Sequence, residues 1–161
     1  MNNYEKSKSW SDKFIIQIKR SLGEVFIIEA THEDDTEFNT DLLMPNGDRI
    51  ACRIRRHTYW EKYRDQFTIR TERPSGMKSE LEKILEGWGD YIFYGFSNPD
   101  ETGLTQWFIG NLDAFRVYLK NYMEQNEGQL PGIEHNNRDG SSSFRAFNLQ
   151  DIPNFIRSSM D

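Results

Sequence analysis

Eight basic side chains fall between positions 49 and 73: Arg49, Arg53, Arg55, Arg56, Lys62, Arg64, Arg70 and Arg73. Three acids, Glu61, Asp65 and Glu72, share that stretch, which therefore carries a local balance of +5. Seven of the eight are arginine, whose planar fork of donors matches phosphate or carboxylate oxygens better than the compact ammonium of lysine. Tyr59, Trp60, Tyr63 and Phe67 are interleaved with them. Cations mixed with rings suit a surface that holds a nucleic-acid backbone and stacks on its bases. A second reading competes with that one: arginines alternating along a strand form a solvated face paired with acids from elsewhere, and the rings belong to the core.

Other chemistry-bearing residues exclude more than they suggest. His32, Glu33, Asp34 and Asp35 gather an imidazole and three carboxylates, but their spacing matches no calcium loop. His57 and His135 lack cysteine or histidine neighbours at zinc spacing. Cys52 reads as a small buried hydrophobe, and the serines at 141–143 lie in a polar loop without the strand-to-helix elbow that a serine nucleophile needs. Neither Gly-Lys-Ser/Thr nor Gly-x-Gly-x-x-Gly occurs, which removes the ordinary nucleotide-binding loops. Trp88, Tyr91, Phe93, Tyr94 and Phe96 are assigned to the core.

The chain that must position these residues has 161 of them and a formal charge of −6, so −11 lies outside the basic stretch. One domain over 1–161 is expected, large enough for a core without disulfide or metal. A lone cysteine, a polar N-terminus and apolar runs far shorter than a membrane span predict a soluble cytoplasmic protein with no membrane partner. Trp10, Phe14, Ile15, Ile18 and Leu22 predict one amphipathic helix over 10–22. Residues 24–31 read as a strand, 32–40 as an acidic loop and 41–44 as a second strand. The Asn46-Gly47 turn then returns the chain antiparallel through 49–56. In that third strand Ile50, Cys52, Ile54 and Arg56 share one face, and Arg49, Ala51, Arg53 and Arg55 the other. A strand at 66–72 follows a polar, aromatic excursion and is broken at 74–76. Met77, Leu81, Ile84 and Trp88 predict a three-turn helix with Lys78 and Glu82 as an exposed pair. Residues 90–96 read as a strand buried on both faces, 104–109 as a strand and 112–123 as a helix. Residues 125–143 read as a mobile loop, and 144–156 as a segment docking back on the body.

The order helix, three strands, extra strand, helix, strand resembles the αβββαβ core of the restriction-endonuclease-like, or PD-(D/E)XK, fold. Asp41-Leu42-Leu43-Met44, the Asn46-Gly47 turn, the strand ending Arg53-Ile54-Arg55, and Tyr91-Ile92-Phe93 are similar in layout to archaeal Holliday-junction resolvases. The resemblance covers 10–96, leaving 97–161 as a C-terminal extension. It implies an α/β fold with a mixed central sheet flanked by helices, a homodimer, and Mg²⁺ held by strand carboxylates if the site is active. Asp41 matches the motif aspartate, but Arg53 stands where the second acid belongs and Arg55 where the lysine belongs. One implied site combines Asp41, Arg55 and Glu80 as catalytic residues with Asp41 and Asp35 as metal ligands. The alternative is a metal-free surface in which Arg53, Arg55 and Arg70, with Arg56 and Lys62, bind nucleic acid. Asp41 taken alone also reads as a carboxylate that neutralises Arg53 and does no chemistry. A further alternative is a non-enzymatic module that binds a protein partner.

Overall fold

A computed structural model describes residues 3–22, 28–72, 76–137, 140 and 142–159. The fold is mixed α/β. The N-terminal helix comes as two, α1 (Asn3–Asp12) and α2 (Ile15–Leu22), rather than one. The Ser11 hydroxyl donates back to the Lys8 carbonyl, a bond that bends helices, and the chain restarts beyond it with Ile18 N–H donating to Phe14 O at 2.9 Å. Of the strand expected over 24–31, residues 24–27 lie outside the described residues. Of the rest, only Ile28–Glu29 is strand, β1, and Thr31 already caps the next helix.

The acidic segment is helix α3 (His32–Phe38), not a loop. The Thr31 hydroxyl caps the Asp34 amide, Glu33, Asp34 and Asp35 face the positive end of the helix dipole, and Asn39 closes it at φ 50°. Strands β2 (Leu42–Leu43) and β3 (Arg49–Arg55) pair antiparallel across the Asn46-Gly47 turn, as expected. After a 3₁₀ turn and the short α4 (Trp60–Tyr63) comes β4 (Gln66–Glu72). Helix α5 (Glu80–Leu85) is shorter than expected because a capping box at Ser79 starts it late. That box occupies Glu82, so Lys78 pairs with Glu86 instead. Strands β5 (Tyr91–Ser97) and β6 (Leu104–Asn111) and helix α6 (Leu112–Gln125) follow. The expected loop at 125–143 contains β7 (Ile133–Asn136), an exposed edge strand with no apolar alternation to announce it. Strands β8 (Ser143–Asn148) and β9 (Ile156–Ser159) end the fold.

Six strands form one sheet in the order β1-β2-β3-β5-β6-β9, with β3 and β5 parallel and every other pair antiparallel. Strand β4 does not join it. It heads a second, antiparallel sheet, β4-β8-β7. Strand β5 is buried on both faces, so its side chains divide by the period of two: Phe93 packs with Phe14, Ile18 and Ile50 under α2, while Ile92, Tyr94 and Phe96 join the larger core. That larger core is filled by α5, α6 and the second sheet through Leu81, Ile84, Phe115, Phe67 and Phe147.

The last segment docks through Phe155, which is 1% exposed and lies directly on Gly110 of β6. A Cβ at 110 would meet three Phe155 ring atoms at 2.3–2.8 Å. Gly110→Ala is therefore expected to destabilise the fold by about 1–3 kcal/mol, read as a lower urea midpoint at unchanged slope. A wild-type midpoint would show that Phe155 does not dock there.

Candidate anion-binding cleft

The two faces of β3 have different surroundings. Ile50, Cys52 and Ile54 pack under α2, whereas Ala51, Arg53 and Arg55 face the second sheet. Thr68 of β4 meets Tyr94 of β5 hydroxyl to hydroxyl at 3.2 Å, which ties the two sheets together at this point. Arg70 lies two residues on, on the same face of β4 as Thr68. Between the sheets is an open cleft of about 170 Å³ lined by Arg53, Arg55, Thr68, Arg70, Asn137, Ser142 and Phe144. Among the described lining residues three are arginines and none is a carboxylate.

Each arginine is held differently. Arg53 pairs with Glu80, the first residue of α5, and the same Glu80 oxygen accepts the Arg70 amide at 3.1 Å. The pair is largely withdrawn from water, with side-chain exposures of 26% for Arg53 and 7% for Glu80. Arg55 has no ion pair among the described residues. Its guanidinium carbon stands 4.5 Å from the Tyr59 ring centre and 5.2 Å from that of Tyr63. Stacking uses the flat face of the guanidinium and leaves its in-plane N–H donors directed outward.

Asp41 does not neutralise Arg53. It lies just before β2, where its carboxylate accepts the Cys52 amide at 2.5 Å and so continues the ladder of β3 past the end of the neighbouring strand. The residue keeps some exposed surface, but its carboxyl is deeply embedded, and desolvation raises its pKa to about 7. The Cys52 amide opposes that rise, Asp35 and Glu80 add to it by repulsion, and Lys8 acts against it. Burial likewise holds the Cys52 thiol protonated, so it offers no nucleophile.

The donor set does not fit Mg²⁺. Asp35 is paired with Lys8, Asp34 with Arg49 at 2.9 Å, and Glu80 with Arg53. Thr31 and then Arg49 hold the Asp34 carboxyl below its usual range. Among the described residues no three His, Cys, Asp or Glu side chains gather where they could hold a metal ion. A hard dication would have to displace resident ammonium and guanidinium groups that stay charged at neutral pH.

Two expected nucleic-acid ligands sit apart from the cleft lining. Arg56, expected to end the third strand, lies just past β3 ahead of the 3₁₀ turn, where it pairs with Glu101 and stacks 4.5 Å over Trp10. Lys62 is on α4, with its ammonium 5.2 Å from the Tyr63 ring that also supports Arg55. Sequence reasoning missed Thr68, Asn137, Ser142 and Phe144. The alternating pattern Ser143-Phe144-Arg145-Ala146-Phe147 was the available signal for β8, and β8 brings Phe144 opposite Arg70. Among the described residues no helix is long and apolar enough to cross a membrane. Comparison with known proteins finds no family model and no curated sequence that matches the chain.

Proposed function

We propose that the chain binds nucleic acid through this cleft, with Arg55 and Arg53 holding phosphate oxygens and Arg70 adding charge from the second sheet. The observation that carries the reading is the convergence of three arginines from two sheets on one cleft, whose described lining residues include no carboxylate. Ser142, whose hydroxyl accepts from the Asn137 side-chain amide at 2.7 Å, adds a neutral polar group beside the arginines, of the kind phosphate contacts commonly use. A restriction-endonuclease-like scaffold is supported by the antiparallel run β1-β2-β3 and the crossover through α5 to a parallel β5. The reading includes no cleavage step, because the acids near Asp41 are engaged by cations. The chain's net charge of −6 opposes non-specific coating of duplex and confines binding to the cleft.

Titration of a labelled oligonucleotide by fluorescence anisotropy at several salt concentrations tests this. Arg55→Ala is expected to weaken binding about tenfold at low salt and to reduce the slope of log K against log salt by about 0.7–0.9, the loss of one phosphate contact. Affinity and slope equal to wild type would overturn the proposal. The same guanidiniums would accept a partner protein's carboxylates, and that second reading gains if no oligonucleotide binds while a stoichiometric protein co-purifies and survives nuclease treatment.

A further inference from the structure

The second sheet carries a ring pair that the phosphate contacts leave unused. His135 of β7 and Phe144 of β8 are opposite each other in register, with ring centres 5.3 Å apart and planes at 21°. In the next register step Phe144 is opposite Arg70, so histidine, phenylalanine and arginine form one row across the sheet on the face that looks into the cleft. Phe144 lines the cleft, while His135 is exposed on the edge strand. Ile133, two residues before His135 and so on the same face, is 61% exposed. The exposed His135 ring stacked on the half-buried Phe144, with an exposed isoleucine, lies beside the arginines of the cleft, and a stacking face next to cations is the chemistry that receives a base flanked by its phosphates.

We infer that the cleft takes a single strand, DNA or RNA, whose base continues the Phe144–His135 stack while the adjoining phosphate sits at Arg55 and Arg53. This rests on the nucleic-acid reading above and adds the form of the substrate. In a duplex the faces of a base are covered by its neighbours, so a ring pair that offers a flat face is satisfied only by an unstacked base. The tyrosines beneath Arg55 extend the aromatic surface on the other rim, where Tyr59 is 43% exposed.

The test compares labelled dT12, rU12, an abasic 12-mer with the same phosphates and a 12-base-pair duplex, on wild type and on His135→Ala and Phe144→Leu. At least one of dT12 and rU12 should bind about tenfold tighter than the abasic strand and the duplex, and the tighter of the two identifies the natural sugar. His135→Ala should remove most of that preference without changing the salt slope, and as an exposed edge residue it should leave the melting temperature near wild type. Phe144→Leu should act in the same direction. Equal binding of dT12, rU12 and the abasic strand, or a preference that survives His135→Ala, overturns the stacking inference while an Arg55→Ala defect leaves the phosphate reading standing. No binding of any strand overturns both.

Discussion

Asp41→Asn is expected to make the protein more stable at pH 8 and to flatten its stability between pH 5 and 8. Burial raises the Asp41 pKa to about 7, against about 3.9 for an unfolded aspartate. Below pH 4 the carboxyl is protonated in both states and contributes no pH dependence. Between 4 and 7 the unfolded chain has released the proton that the folded chain keeps, so stability falls by about 1.4 kcal/mol per pH unit as pH rises. Above 7 both states are ionised, and the penalty stays constant at up to about 4 kcal/mol. Asparagine carries no charge to desolvate, and its side-chain oxygen can still accept the Cys52 amide. Urea unfolding at pH 5 and pH 8 checks this. The wild type should lose stability between the two and the variant should not; an equal loss in both would place the source of the pH dependence elsewhere.

Glu80→Gln is expected to move stability and binding in opposite directions. The amide oxygen can still accept the Arg70 N–H, but Arg53 loses the carboxylate that compensates its burial. Removing one member of a buried pair costs about 3–5 kcal/mol, and the 26% exposure of Arg53 puts the expected loss near about 3 kcal/mol. The same change releases a guanidinium into the cleft, because Glu80 competes with any bound phosphate for Arg53. Oligonucleotide affinity should therefore rise about tenfold at low salt, with a salt slope steeper by about 0.7–0.9. Denaturant unfolding and anisotropy on the same preparation read both effects. A loss of stability with unchanged affinity would mean that Arg53 serves the fold and not the ligand.

Local order made part of this site legible. The Asn46-Gly47 turn and the alternation through β3 place Arg53 and Arg55 on one face without reference to the rest of the molecule, since both follow from short-range backbone geometry. Helix α3 was hidden by its composition: four polar or acidic residues at its start resemble a loop until the Thr31 cap is counted. Strand β4 was visible as a strand, but its partner was not, because Gln66 pairs with Asn148, 82 residues further on. Strand β7 was invisible, since an exposed edge strand needs no apolar alternation and is defined only by the neighbour it pairs with.

By itself the sequence determined that a strand would carry two arginines side by side beyond a tight turn, with an aspartate just before it. Only the tertiary structure decided their partners. Glu80, 27 residues away from Arg53, comes beside it through the crossover to β5, while Asp41, just before β2, turns to the Cys52 amide of β3. Pairing of charges depends on distance and desolvation in three dimensions, and neither is encoded in the spacing of residues along a strand.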